Sequence, residues 1–167
     1  MRLAYASVRH ASQHWSETIA QRLAVEALIA EWSRRLDHDG GVGMEKLFAE
    51  QGVFAALGME ARGRDEIRAT YERRRARGPR TARHLVTNLV IESLGEGRAR
   101  ATSIMVLFAD DGEPPRPAHV PLVVADVVDE CVREADGAWR LSSRTLRNIF
   151  EDGRDIALPL PGRGERA

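Results

Sequence analysis

The chain is poor in the residues that build covalent or metal-held scaffolds. Cys131 is the only cysteine among 167 residues, which excludes an internal disulfide and a thiolate metal cluster. It stands in Asp129-Glu130-Cys131-Val132-Arg133, a β-like stretch without a local base, and reads as a packing residue. Lysine is as scarce: Lys46 is the only one, and arginine supplies the rest of the positive charge. Arginine suits paired and stacked contacts, although codon bias gives the same excess and is the favoured explanation. Basic and acidic residues number 25 each, a formal net charge of zero, so no field draws the chain to nucleic acid or to an anionic membrane. No apolar stretch approaches the roughly 18 residues of a membrane span. Met1 to His14 lacks the continuous apolar segment and cleavage site of a secretory signal, so a cytoplasmic protein is the default expectation.

What is present is periodic. From about Ser16 to Leu36 the apolar residues Val25, Leu28, Ile29, Trp32 and Leu36 recur at helical spacing, and charged residues fill the remaining surface. Ser16 or Thr18 is the candidate cap. The run His38-Asp39-Gly40-Gly41-Val42-Gly43 stops this helix, and a helical turn from Met44 to Glu50 is expected to bury Leu47 and Phe48. Residues 52–61 fit one or two short strands. Gly63 opens a second helix with acids in its first turn and Arg73-Arg74-Arg75 in its last, as the helix dipole prefers, and Gly78-Pro79 ends it. With no aromatic platform among those arginines, a solvated helix end is favoured over an RNA contact. Four long strands follow, at 83–94, 98–109, 120–134 and 139–150, separated by turn-forming residues. Such spacing predicts an antiparallel meander, and helices first with strands afterwards predict an α+β fold. The expected organisation is an N-terminal extension over 1–15, one domain over 16–151 and a flexible tail over 152–167.

Two polar residues stand at element ends, where side chains point into a mouth rather than a packed layer. Asp37 closes the first helix and His84 opens the strand His84-Leu85-Val86-Thr87-Asn88. If the fold brings them together, a carboxylate fixes the tautomer of an imidazole that removes a proton from a bound organic molecule. The competing readings are a helix-end cap near Gly40 for Asp37 and a satisfied strand-edge histidine for His84. His38 is expected to be solvated. His10, His14 and His119 lack partners within their motifs, and no spacing makes a metal site.

Four signals in order resemble one family: Leu36-Asp37, Gly63-Arg64-Asp65-Glu66-Ile67, Arg83-His84-Leu85-Val86-Thr87-Asn88, and Asp136-Gly137-Ala138-Trp139-Arg140-Leu141-Ser142-Ser143-Arg144. Together, over about residues 18–150, they look like the SnoaL-like branch of the nuclear transport factor 2-like superfamily. Scytalone dehydratase, hexachlorocyclohexane dehydrochlorinase and bile-acid 7α-dehydratase are similar members. The resemblance implies a cone, a curved antiparallel sheet wrapped around the long N-terminal helix with an apolar pocket at one end. It implies a catalytic Asp37–His84 dyad, an assisting Arg144, and no organic cofactor or metal. The chain departs from those lyases where Trp32 or Ser33 replaces a polar residue before the Asp, where Phe54 replaces a strand tyrosine, and where Ser103-Ile104-Met105-Val106-Leu107 carries no second histidine.

The expected function is proton abstraction from a small, mostly apolar molecule, as in a dehydratase, dehydrochlorinase or isomerase. The alternatives are the non-catalytic β subunit of a ring-hydroxylating dioxygenase and a ligand-binding protein of the same fold. Arg144 either faces the pocket, stabilising an enolate or departing anion, or bridges to Asp126 or Asp129 across the sheet. Trp32, Phe54, Tyr71, Asn88 and Met105 are candidate pocket residues. Phe150 is assigned to the core by default, and Trp139 is expected to pack the final hairpin. Apolar residues of both parities in the third strand, such as Val123, Val124, Val127 and Val128, predict a sheet buried on both faces and a homodimer or homotrimer.

Overall fold

A computed structural model describes residues 3–56 and 58–154, with side chains from residue 18 onward. Helix α1 spans Leu3–Asp39. It begins earlier than the expected Ser16 and runs through most of the segment assigned to an extension, so neither Ser16 nor Thr18 stands at its N-terminus. The His10 and His14 side chains, and the tail beyond residue 154, lie outside the described residues. Val25, Leu28, Ile29 and Trp32 form the buried face of α1. Burying side chains of this kind contributes about 1.5–3 kcal/mol each, which places most of the helix's stability in tertiary contact rather than local propensity.

After α1, a 3-10 turn at Met44–Leu47 buries Met44 and Leu47. It is shorter than the expected helical turn, because Phe48 already begins strand β1, Phe48–Ala56. Strand β2, Met59–Arg62, pairs with β1 as an antiparallel hairpin. Helix α2, Gly63–Ala76, packs back on β1 and the 3-10 turn. Strands β3 (Arg80–Gly95), β4 (Arg98–Asp111), β5 (Val123–Arg133) and β6 (Trp139–Glu151) form the expected antiparallel meander.

The six strands make one sheet in the order β2-β1-β6-β5-β4-β3. One pairing departs from the antiparallel expectation: β1 lies parallel to β6, with Phe54 opposite Arg144. Parallel neighbours require a long crossover, and here the whole of α2 and the meander supplies it. Register shifts interrupt every long pairing within β3–β6 except β4–β5, and such bulges bend the strands they interrupt.

The concave face buries alternate residues, Ala99, Ala101, Ser103 and Met105 on β4 and Val123, Ala125, Val127, Asp129 and Cys131 on β5. The small side chains leave room for α1. The opposite face carries a row of apolar neighbours in register, Leu85 against Val106, Val106 against Val124, and Val124 against Phe150. Phe150 is therefore not a core residue of the chain; it is 69 % exposed on this outer face. No described helix is long and apolar enough to cross a membrane.

The turn after α1 depends on Gly41. Its N–H donates to the Arg35 carbonyl at 2.8 Å, its φ is +79°, and an added Cβ would stand 2.9 Å from Tyr71 Cδ1. The left-handed backbone alone costs a side-chain-bearing residue about 1–2 kcal/mol. Gly41→Ala is therefore expected to destabilise the fold by at least that amount in chemical denaturation, and an unchanged midpoint would contradict the packing described.

Candidate active site

The helix end and the strand start meet at the mouth of the cone. Asp37 Oδ1 lies 2.6 Å from His84 Nδ1. The backbone N–H of His84 also donates to both carboxylate oxygens, at 3.2 and 3.0 Å. Asp37 is thus held by main chain and side chain of one residue. The turn near Gly40 closes through backbone bonds instead, so Asp37 is not its cap. A carboxylate accepts only, so the Nδ1 facing it carries the proton, and in the neutral ring the lone pair is then on Nε2. The Trp32 ring meets the imidazole edge-on, centroids 5.4 Å apart and planes at 86°. The side chains of Asp37 and His84 are 9 % and 11 % exposed.

Both residues line a cavity of about 680 Å³, together with Trp32, Phe54, Tyr71 and Met105. Leu36, Leu107, Leu122 and Leu146 extend the apolar wall, and Arg74, Arg75, Arg80, Arg83 and Glu113 also line the cavity. Asn88 does not belong to it. The register shifts between Thr87 and Val90, Asn88 adopts φ +54°, and the bulge breaks the alternation that would have carried it onto the face of His84. Asn148, on β6, is an asparagine that does reach the cavity. His38 is exposed, as expected, and stands at the rim.

Arg144 is likewise absent from the cavity wall. It is inaccessible and binds Asp129 at 3.1 Å, with its guanidinium carbon 3.9 Å from the centre of the Trp32 ring. Of the two expectations for Arg144, the cross-sheet ion pair is the one formed. Burial pushes the Asp129 carboxyl upward, and the Arg144 charge pulls it back. Burial is also the main cause that pushes the Cys131 thiol up to about 12, which suits a packing residue and not a nucleophile. Among the described residues no three histidine, cysteine or carboxylate side chains group as a metal site.

Sequence reasoning took Tyr71 and Trp32 as pocket wall and missed their polar ends. The Tyr71 hydroxyl and Trp32 Nε1 are buried, and neither has a hydrogen-bond partner. Burial drives the Tyr71 hydroxyl well above the usual phenol range, and the nearby Arg144 charge and Trp32 N–H act against that shift. It is therefore a neutral donor. Both rings line the cavity, while the two polar atoms themselves are enclosed behind its wall and lie near each other.

A helix-wrapping curved sheet with an acid and an imidazole at its open end defines a class, and the sequence carries its signature. The SnoaL-like domain model matches residues 17–145, and the chain belongs to this family, a branch of the nuclear transport factor 2-like superfamily. No protein of curated function matches. Among solved structures it is similar to Rv3472, a protein of unknown function from Mycobacterium tuberculosis, at 28 % identity over 80 % of this chain and 74 % of that one, TM-score 0.67. A candidate scytalone dehydratase from Novosphingobium aromaticivorans has the same fold, at 24 % identity, 89 % and 97 % coverage and TM-score 0.71. So does ActVI-ORFA from Streptomyces coelicolor, at 23 % identity, 80 % and 96 % coverage and TM-score 0.66.

The geometry gives Arg144 a structural role that can be measured. Removing one partner of a buried ion pair typically costs about 3–5 kcal/mol, whereas replacing both by apolar residues is often near neutral. Arg144→Met is expected to destabilise by about that amount, with much of the loss recovered in Arg144→Met/Asp129→Leu. Equal stability of wild type and the single variant would remove the pair from the core's architecture.

Proposed function

We propose that this protein is a cofactor-independent enzyme in which His84, oriented by Asp37, takes a proton from carbon in a small and largely apolar organic molecule. The observation that carries this reading is the 2.6 Å contact between His84 Nδ1 and Asp37 Oδ1 at a cavity wall. The electron pair left by the proton moves toward an oxygen of the substrate, whose developing charge the Tyr71 hydroxyl would stabilise once a ligand brings the two together. Asp37 stabilises the imidazolium meanwhile. In an elimination of water, the imidazolium returns its proton to the departing hydroxyl, a double bond forms, and His84 is neutral again. In an isomerisation the same proton returns to another carbon. The aliphatic and aromatic part of the lining also fits this chemistry, because it strengthens the electrostatic contacts beside it.

A carboxylate-oriented base at the cavity wall supports the catalytic reading over a non-catalytic subunit or a binding protein. The test needs no knowledge of the natural substrate. Exchange of solvent deuterium into the α-carbon of an enolisable bicyclic ketone, 2-tetralone, is followed by NMR. Wild type is expected to accelerate exchange, His84→Ala to lose about 10²–10⁴-fold, and Asp37→Asn to be impaired because its amide cannot stabilise the imidazolium. Tyr71→Phe is expected to lose about 10²-fold. Folded His84→Ala retaining activity within about threefold of wild type ends the base assignment.

The outer sheet face bears on assembly. The in-register row Leu85, Val106, Val124 and Phe150, with exposed Val90, Phe108 and Val128 beside it, is a broad apolar surface. Large exposed patches of this kind mark interaction sites, and the proposed occupant is a second copy of the chain, in a homodimer or homotrimer. Light scattering at micromolar concentration is expected to report an oligomer, and Phe150→Glu to shift it toward monomer; a monomeric wild type contradicts the proposal.

A further inference from the structure

His84 is supported twice by one helix, and only one of those supports is a hydrogen bond. Asp37 holds the ring at Nδ1. That bond decides which edge of the imidazole faces the carboxylate, and what it leaves is the tilt of the ring plane, which moves Nε2. Trp32, five residues earlier on α1, meets the same ring with planes at 86° and centroids 5.4 Å apart. Edge-to-face contacts of this kind are directional, so the indole opposes the tilt that the carboxylate allows. An indole can serve in this way only if it is itself immobile.

What lies behind the indole meets that condition. The Arg144 guanidinium carbon stands 3.9 Å from the centre of the Trp32 ring, and Arg144 Nη1 donates to Asp129 Oδ2 at 3.1 Å. All three side chains are buried, Arg144 and Asp129 completely. A pairing with Asp129 alone does not call for this placement. Arg144 Nε and Nη2 have no hydrogen-bond partner among the described residues, so the guanidinium forgoes polar contacts at two nitrogens while its carbon stays over the indole. Attraction between a cation and a ring face is stronger when both are withdrawn from water. At its polar edge, the indole Nε1 lies near the Tyr71 hydroxyl. The contacts thus run from Asp129 on β5 to Arg144 on β6, to Trp32 on α1 and to His84 on β3. Trp32 and His84 line the cavity; Asp129 and Arg144 do not.

We propose that Trp32 is a positioning residue for His84, held to that task by the Arg144–Asp129 pair behind it. The lone-pair nitrogen of the base is then aimed by an aromatic wall as well as by Asp37. Arg144 and Asp129 act through Trp32 and touch no ligand. That this aim serves proton abstraction rests on the function proposed above; the orientation of the ring does not.

One arm of the test needs no substrate. In protein carrying isotopically labelled histidine, long-range nitrogen–proton NMR spectra report the tautomer and the number of environments of the His84 ring, whose signals are identified by their loss in His84→Ala. Wild type is expected to show one environment, protonated at Nδ1. Trp32→Leu should broaden or split those signals, and Trp32→Phe, which keeps a ring, should restore them in part. The sharper comparison is Arg144→Met/Asp129→Leu, in which apolar residues refill the core and the indole loses its cation. The His84 signals should move there although neither substituted residue touches the imidazole. In the ketone exchange assay this double variant should lose about 10–10²-fold in kcat, the scale of a small misplacement of a reacting group, with KM within about twofold of wild type. A purely structural pair predicts a folded double variant with wild-type kcat and unmoved His84 signals. That result, two His84 environments in wild type, or unmoved signals in folded Trp32→Leu overturns the proposal. The double variant keeps the test available if Trp32→Leu fails to fold. Moved signals in a protein whose wild type exchanges no ketone would sink the base assignment alone. Wild-type exchange with unmoved signals in the double variant would sink the positioning role alone.

Discussion

A single carboxylate joins the two halves of this molecule. Asp37 accepts the backbone N–H of His84 on both of its oxygens and the ring nitrogen on one of them. This welds the last turn of α1 to the start of β3 where the helix leaves the cone. The geometry is demanding, because the helix must end within reach of a strand residue 47 positions later. The glycine-rich turn meets that demand: it reverses the chain at once and lets Gly41 sit against Tyr71. The same bond serves fold and chemistry. A ring held through its own backbone N–H and its Nδ1 has little freedom left, and the orientation of Nε2 is settled before any ligand arrives.

Behind this joint the core contains a charge. Arg144 is fully enclosed, yet it is bound to Asp129 and lies against the Trp32 ring. A buried guanidinium is tolerated only when its charge is met, and here a carboxylate and an aromatic face share that task. Trp32 in turn packs edge-on against His84. Residues from β5, β6, α1 and β3 are thereby stacked from the sheet out to the cavity. The parallel pairing of β1 with β6 places Phe54 opposite Arg144, which brings the early strand to the same wall.

Much of this was legible in the sequence, for identifiable reasons. Val25, Leu28, Ile29 and Trp32 announce the helix by period, and the four strands of the meander announce themselves by turns. Asp37 and His84 were legible as a pair because four ordered motifs resemble the SnoaL-like family; each alone had a structural reading, a helix-end cap and a satisfied strand-edge histidine. Other features were hidden by their physics. The parallel β1–β6 pairing is a contact between segments far apart in sequence that no local pattern encodes. Asn88 was misassigned because a bulge breaks strand alternation, and bulges leave weak local signals. Arg74 read as solvent-exposed because a run of three arginines obscures which one faces inward. Phe150 read as core because hydrophobicity does not state which side of a sheet it occupies. The unpartnered hydroxyl of Tyr71 is a property of three-dimensional packing alone.

Cys131 acquires a meaning beyond packing from its neighbours. It is 2 % exposed on the concave face of β5, two residues from Asp129, and its thiol is pushed up to about 12 by burial and by that carboxylate. Thiolate, not thiol, reacts with electrophiles and oxidants, so a closed fold presents almost nothing for them to attack. Any modification of this sulfur must follow an opening of the central sheet itself. With no other cysteine in the chain, the protein carries one native reporter, and the rate at which a thiol reagent consumes it reads out how often the cone comes apart.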